Sequence, residues 1–530
     1  MCGICKKLGV QNRHVREGSE RLDFNLDDYA GSGLTFRGKP IFDQAGVINQ
    51  IDAGREIKAS NGVITYTFLD LNHLTGLYNN PNFGFTAGTG LSPFTAEQRD
   101  QARDSVKLWD ELIPQTFKET NGLGADIQFS NSADSAQAYA YYPGKKGWKF
   151  QSDVFVADPE LNWTNEWFSF GGYGKTILVH ELGHALGLSH PGEYNGAGAT
   201  TYAAQAEYAQ DSTQYSIMSY WSASETGARI VNWNEFLFSN AQTPLLHDIL
   251  TIQSKYGADP TTRATNTTYG FNSNAGNAVY DFSKNPYPYL SIYDAGGIDT
   301  LNLSGYTIGQ FIDLHPGSFS SVGAGAPTEA TVNAALAKLT EISGEDWGSI
   351  DQASINGIIN NFRTANAADI ALDTGVSDIF ASEYSNLSIA YKTIIGNTIG
   401  GSARDLIWGN AVANRLEGRG GNDVLNGYEG ADTLFGGAGN DTFEFSHLEK
   451  GDRIADWNAG DKIDLTKLDA IAGGADNAFA FIGNGAFTKT AGQLRYADGL
   501  LQGDTNGDGI ADFAVVLTGA PALTAADILL

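Results

Sequence analysis

From Gly400 to Glu444 the chain runs GGSARDLIW, GNAVANRLE, GRGGNDVLN, GYEGADTLF, GGAGNDTFE, five consecutive units of nine residues. Glycine opens every unit, the sixth position is Asp405, Asn414, Asp423, Asp432 and Asp441, and the eighth is Ile407, Leu416, Leu425, Leu434 and Phe443. This period describes a parallel β-roll: a Gly-rich turn whose carbonyls and carboxylate face an ion, then a short strand that sends its apolar side chain inward. Successive turns fall on alternate sides of the roll, so an ion is shared between residues 18 apart. Asp405 pairs with Asp423 and Asp423 with Asp441; Asn414 with Asp432 has one charge fewer and is expected to bind more weakly. A flexible Gly/Asn linker would have no reason to hold Leu or Phe in strict register.

Outward from the repeats, the texture back to Gly257 is Asn, Gly, Asp and Thr with short apolar runs, the pattern of an all-β segment, so a boundary is placed there. An Ala- and Asn-rich stretch from about Ala326 to Asn366, with helical spacing at Val332, Leu336 and Leu339, reads as an inserted helical excursion. Before Gly257, helix and strand alternate. A helical pattern covers Phe42–Ile57, and ITYTFLDL from Ile64 reads as a strand. Thr95 with Gln98 forms a capping signal ahead of Ala102, Val106, Trp109 and Ile113. ADIQFS at Ala125, QAYAYYPG at Gln137 and SDVFVA at Ser152 read as short strands, followed by an apolar helix beginning near Lys175. The fold class expected is an α+β domain followed by an all-β parallel β-roll or β-sandwich domain, with a polar leader over residues 1–25.

Of the 530 residues, 33 are Lys or Arg and 61 are Asp or Glu, a formal net charge of −28 that repels phosphate backbones and anionic lipids, so no nucleic-acid partner is expected. With 42% hydrophobic residues there is material for cores, yet no apolar run approaches the roughly 18 residues of a membrane span. The two cysteines, Cys2 and Cys5, are too close together to staple a folded body. The opening MCGICKKLGVQNRHVREGSE lacks the apolar segment of an export signal, which leaves a cytoplasmic protein or export by a route that does not read the N-terminus.

Three of the eight histidines fall in one window, HELGHALGLSH at His180–His190. His180 and His184 lie one helical turn apart, about 6 Å in rise, so their imidazoles can converge on one ion with Glu181 beside it. Gly187 can turn the chain back so that His190 supplies a third nitrogen. Zinc held by three protein ligands keeps an open position for a water of lowered pKa, and Glu181 can take its proton as it attacks a carbonyl. The initiator aside, Met218 in SIMSY is the single methionine, which suits a turn packed under the metal ligands; Tyr220 can then reach the metal or a developing oxyanion.

HELGHALGLSHPGEYN followed by SIMSYW, together with GKPIFDQAGVINQI, ITYTF, PLLHDILTIQSKYGAD and the repeats, resembles the metzincin metallopeptidases and, within them, the serralysins. The resemblance implies a secreted, broad-specificity zinc endopeptidase of Gram-negative bacteria with calcium-dependent folding: a leader or propeptide over 1–25, a peptidase domain over 26–258, and a calcium-binding and secretion domain over 259–530. It implies zinc on His180, His184 and His190, Glu181 as base, Tyr220 as a mobile ligand, and AYAYYPG at Ala138–Gly144 as the edge strand that pairs with extended substrates. Calcium is implied at Arg263, Thr265, Thr267, Asp294, Gly296, Gly297 and Asp299. In the repeats and beyond, the implied ligands are Gly401, Ala403, Asp405, Gly418, Gly420, Gly421, Asp423, Gly427, Gly430, Asp432, Gly436, Ala438, Asp441, Asp456 and Asp461. Gly396 stands where relatives place a glutamate ligand, and DTNGDGIAD from Asp504 spaces oxygens like the start of an EF-hand loop but lacks its closing Glu. The terminal DILL at Asp527–Leu530 resembles an uncleaved signal for a type I ABC exporter. The implied partners are extended polypeptide substrates, that exporter and a proteinaceous periplasmic inhibitor, and the implied state is a monomer. The rival reading is a non-catalytic calcium-repeat surface or adhesion protein, which would have no use for an intact Glu181.

Overall fold

The computed structural model describes residues 25–70, 90–121, 124–133, 137–144, 151–198, 200–471 and 477–530. Cys2, Cys5 and nearly all of the leader lie outside these residues.

The first half is a layered α/β body. Helix α1 (Gln44–Ile51) starts on Asp43, whose carboxylate accepts from the Gly46 N–H, and ends at Asp52. It is shorter than the Phe42–Ile57 pattern, because Gly54 takes φ +68° and turns the chain away. Strand β1 (Val63–Phe68) is followed by helix α2 (Ala96–Asp110), which opens with the expected capping box between Thr95 and Gln98. Strands β2 (Thr116–Glu119), β3 (Ile127–Ser132), β4 (Ala138–Ala140) and β5 (Ser152–Ala157) complete a five-stranded sheet ordered β2-β1-β3-β5-β4. Only β4 runs antiparallel, pairing Ala138 with Val156 and Ala140 with Val154, and it forms the margin of the sheet. Helix α3 (Tyr173–Ala185) packs on α2 and on β4 and β5, and helix α4 (Leu246–Tyr256) packs against α1.

The second half is a roll. Strands at Thr268–Gly270, Thr300–Asn302, Asn397–Ile399, Arg415–Gly420, Thr433–Ala438 and Lys450–Ile454 stack in parallel into one wall. Strands at Phe311–Asp313, Leu406–Trp408, Val424–Asn426, Thr442–Glu444 and Lys462–Asp464 form the facing wall. Leu416 lies beside Leu434, Ile407 beside Leu425, and Leu425 beside Phe443, each pair 18 residues apart, and all five eighth-position side chains are fully buried. The wall spacing thus realises the nine-residue period. The final strand, Ile528–Leu529, pairs with Ile463–Asp464.

The helical excursion is two helices, α5 (Glu329–Ser343) and α6 (Gln352–Thr374), and continues eight residues past Asn366. The extension follows from capping: Asp351 starts α6 and Gly375, at φ +79°, stops it.

Candidate active site

Helix α3 carries His180, Glu181 and His184 inside the body, all nearly inaccessible to solvent. Two contacts explain the glycines at Gly183 inside this helix and at Gly187 just past its end. A Cβ on Gly183 would lie 2.5 Å from Met218 Sδ and 3.2 Å from the Trp109 ring, so the turn that contains Met218 seats directly beneath the histidines. Gly187 sits at φ +96°, with its would-be Cβ 1.9 Å from the Arg55 carbonyl, and here the chain reverses. The reversal delivers His190 to the same point: its Nε2 lies 3.0 Å from His184 Nε2 and 3.3 Å from His180 Nε2.

Each ring is held through its other nitrogen. Nδ1 of His180 faces the Ile217 carbonyl at 2.8 Å, that of His184 the Leu188 carbonyl at 2.7 Å, and that of His190 the Tyr194 carbonyl at 3.0 Å. A carbonyl only accepts, so Nδ1 carries the proton and each Nε2 presents a lone pair to the same space. Burial pushes His180 down to about 4 and His190 down to about 3, and holds His184 well below the ordinary range, so all three rings stay neutral. Three lone pairs at 3.0–3.3 Å repel one another unless a cation lies among them; tetrahedral zinc with Zn–N of about 2.0–2.1 Å sets its nitrogens roughly 3.3 Å apart. Beside them Glu181 is buried, with Oε2 lacking any hydrogen-bond partner, and burial alone pushes its carboxyl up to about 8. A carboxyl in that condition calls for a positive neighbour. The donor set, the separations and the orphaned oxygen fit a zinc ion.

Tyr220 is 40% exposed, and its ring lies 4.4 Å from that of His190, so it borders the cleft rather than the core. Across the cleft, the Tyr142 ring meets His184 edge-on at 5.6 Å, and Tyr142 continues the line of β4. Two buried acids that the sequence did not single out hold the turn between Tyr215 and Trp221. Asp248 accepts from Ser216 Oγ at 2.6 Å, the Ile217 N–H at 2.7 Å and the Leu245 N–H at 2.8 Å. Asp211 accepts from Tyr194 Oη, Ser219 Oγ and Trp221 Nε1. Burial pushes both up to about 6. Their nearest sequence signal, an acid inside PLLHDIL and another inside AQDST, is too common to read.

The repeats bring their carboxylates into register. Asp423 Oδ1 accepts from the Asp405 N–H at 2.8 Å, Asp441 Oδ1 from Asp423 at 2.9 Å, and Asp432 Oδ1 from Asn414 at 2.8 Å. The second oxygens of Asp423, Asp432 and Asp441 are buried without a hydrogen-bond partner. They occupy the places where Cβ atoms on Gly418, Gly427 and Gly436 would stand, 2.3, 1.9 and 2.3 Å away. Gly401 bonds Asp405 directly, Gly421 packs on Ala403 and bonds the Ala438 carbonyl, and Gly430 abuts the preceding turn at Val412. Gly420 lies over Ser402. Burial, reinforced by neighbouring carboxylates, pushes Asp423 and Asp432 up to about 7 and Asp441 up to about 6. Such oxygens fit divalent cations with carbonyl and carboxylate ligands.

Past Asp441 the spacing becomes 20: the Asp432 N–H bonds Asp452 Oδ1 and the Asp441 N–H bonds Asp461 Oδ1, while Asp456 accepts from Gly436 and Gly437. Asp432, Glu449 and Asp452 place ligand oxygens within 4.8 Å of one another. Glu449 and Asp452 escaped the sequence reading because the two added residues break the 18-residue rule.

In the earlier loop, Asp299 Oδ1 accepts from the Thr267 N–H at 2.7 Å, Asp299 Oδ2 is orphaned, and Gly297 meets Thr265. Asp294 is engaged by Gly296 N–H and Tyr269 Oη, while the Arg263 side chain turns to Glu111 and the Tyr293 carbonyl. The Gly396 carbonyl accepts from Asn414 Nδ2, so an amide contact stands at that position. Asp504 accepts from the Gly507 and Gly509 N–H groups, which closes the DTNGDGIAD loop on itself.

The Matrixin family model matches residues 91–214, and the Peptidase M10 serralysin C-terminal model matches 258–346 and 346–530. The chain is 35% identical over 525 residues to the metallopeptidase AprA of Pseudomonas marginalis, covering 93% of each. It is 34% identical over 519 residues to the metalloprotease AprA of Pseudomonas entomophila strain L48, covering 94% of this chain and 92% of that one. With serralysin B of Dickeya chrysanthemi it shares 37% identity over 324 residues, 57% of this chain and 62% of that one.

Proposed function

The chain belongs to the serralysin family of zinc metallopeptidases, and on that footing we propose that it is a secreted endopeptidase that grips extended polypeptides by main chain and hydrolyses them at the His180–His184–His190 centre. The observation that carries this reading is the convergence of three neutral Nε2 atoms beside a buried, partnerless Glu181 oxygen. His180, His184 and His190 would hold zinc, which when bound supplies a Lewis acid and a water of lowered pKa.

The chain's own residues do the rest. The carbonyls of Ile217, Leu188 and Tyr194 fix each imidazole in the tautomer that points Nε2 inward. Glu181 takes the proton of the attacking water at Oε2 and returns it to the leaving amine nitrogen. Tyr220 borders the cleft from the His190 side and donates its hydroxyl proton to the oxyanion as negative charge builds there. Strand β4, at the sheet margin, offers its backbone for an extended substrate to add beside it, which binds main chain without demanding particular side chains.

The division that goes with this function is a leader over 1–25, the peptidase unit over 26–258 and the calcium-binding unit over 259–530. The second folds on calcium taken by the repeat carboxylates, with Glu449 and Asp452 added to the set, and so folds outside the cell where calcium is plentiful. Asp527–Leu530 would address a type I exporter of a Gram-negative cell, and a periplasmic inhibitor would guard the cleft before release. No helix among the described residues is long and apolar enough to cross a membrane.

Glu181→Gln tests the proposal. Casein hydrolysis should be lost while zinc content stays near one per chain, since Glu181 moves a proton and is not a ligand. Retention of more than a few per cent of wild-type turnover would overturn Glu181 as the base, wild-type hydrolysis indifferent to chelator would overturn the metal, and a wild-type chain that cleaves no casein would return the protein to the non-catalytic reading.

A further inference from the structure

The helical hairpin α5–α6 lies in the sequence of the roll, and Ile370 near the end of α6 is buried against Phe311, Leu406 and Val424 of the roll, yet the rest of its apolar face packs on the peptidase half. Val332, Leu336, Leu339, Ile355 and Ile359 are buried in one apolar cluster with Val231, Trp233 and Phe236. The hairpin is stiff. Its two helix starts are tied reciprocally, Glu329 N–H to Gln352 Oε1 at 2.7 Å and Gln352 N–H to Glu329 Oε2 at 3.0 Å. Arg229 of the peptidase half fastens α6 through Asn366 Oδ1 and Asp369 Oδ2, each at 2.7 Å.

At the hairpin tip, Trp347 is fixed by its own connection, its N–H donating to Thr340 Oγ1 and its indole to Ser343 Oγ at 2.9 Å. Its ring meets Trp163 at 5.9 Å and 77°. Trp163 opens the short turn Trp163–Glu166, which is bonded to the Ala157 carbonyl at the end of β5, through Asn165 Nδ2 at 2.9 Å, and repeatedly to Gln137. Asn162 Nδ2 donates to Gln137 Oε1; Gln137 Nε2 donates to Thr164 Oγ1 and Asn165 Oδ1, both at 2.8 Å; and Asn165 Nδ2 donates to the Gln137 carbonyl at 3.3 Å. Gln137 immediately precedes β4. On its other side the turn abuts the first turn of α3, where a Cβ on Gly174 would lie 2.9 Å from Asn165.

We propose that the α5–α6 hairpin positions the substrate strand: Trp347 presses Trp163, which through Asn162 and Gln137 holds the start of β4 in the geometry an extended substrate pairs with. This rests on the edge-strand reading above. Gln137 stands five residues from Tyr142, which touches His184, so about 16 Å of strand separates the anchored end from the centre. The hairpin therefore acts on substrate residues roughly four or five removed from the scissile bond, and acts on binding rather than on chemistry. A strand fixed in advance spares part of the ordering cost of association.

Quenched fluorescent peptides of graded length around one cleaved bond, assayed with the full-length zinc- and calcium-loaded protein, test it. The wild type should gain in kcat/KM with length. Trp347→Ala should raise KM for the longest peptide roughly three- to tenfold, with kcat within about twofold, and leave the shortest peptide unchanged. Trp347→Phe should restore the wild-type pattern. Gln137→Ala, which removes the side-chain bonds to Asn162, Thr164 and Asn165 without touching the hairpin, should reproduce the length-dependent defect, and it decides the matter if Trp347→Ala fails to fold by far-UV circular dichroism. Equal losses at every length, or no loss at any, overturn the inference. A wild type that gains nothing with length overturns the edge-strand reading itself and the inference with it.

Discussion

Asp423→Asn should change the stability of the roll with opposite sign in the presence and absence of calcium. Asp423 Oδ1 is engaged by the Asp405 N–H, its own N–H is given to Asp441, and Oδ2 is buried without a hydrogen-bond partner. Burial, with the Asp441 charge adding to it, pushes this carboxyl from 3.8 up to about 7. The folded state then keeps a proton that the unfolded chain has released, so the calcium-free roll loses stability as pH rises from about 4 to 7 and regains it on acidification. About three pH units correspond to roughly 4 kcal/mol for this one group at pH 8. Asn keeps the shape and the accepting oxygen and removes the charge, so the calcium-free variant should hold its β-type circular dichroism to higher pH than the wild type. In millimolar calcium the same charge is a ligand, and the variant should need more calcium to fold and melt at a lower temperature. Both titrations can be run by far-UV circular dichroism on the zinc-loaded full chain with a calcium-selective chelator. A shift of the same sign under both conditions, or a calcium-free signal independent of pH between 5 and 8, refutes the reasoning.

Other outcomes follow from the same geometry. Tyr220→Phe keeps the ring beside His190 and removes one oxyanion donor, so kcat should fall roughly 10–1,000-fold with KM little changed; an unaltered kcat in steady-state assays would remove Tyr220 from the chemistry. Gly183→Ala drives a methyl into Met218 Sδ at 2.5 Å and should cost roughly 1–3 kcal/mol of stability, read as a lowered Tm, with Met218→Ala relieving part of the loss in the double variant. Asp248→Asn removes the charge that accepts from Ser216, Ile217 and Leu245 and should loosen the turn under the histidines, seen as faster zinc loss to a chelator; an unchanged rate would make that anchor dispensable.

By itself the sequence determined whatever depends on a repeat or on neighbours along one element. The nine-residue period dictated that Asp405, Asp423 and Asp441 join at intervals of 18, because strands of equal length joined by equal turns admit one register. The four-residue spacing of His180 and His184 put both rings on one helical face, and Gly187 marked the reversal that brings His190 to them. The period also marked its own limit: where two residues are added after Asp441, Glu449 and Asp452 join Asp432 at a spacing that no rule extrapolated from the repeats contains. Tertiary structure alone decided which surface each apolar face covers. Nothing in Val332, Leu336 and Leu339 says that they bury against Trp233, about a hundred residues away, and nothing in Trp347 points to Trp163. Asp211 and Asp248 read as ordinary acids until the chain folds over the turn between them. The reason is physical: periodicity records how an element is amphipathic, while the partner of an apolar face is chosen by shape and by the closing of long loops, which leave no local mark in the sequence.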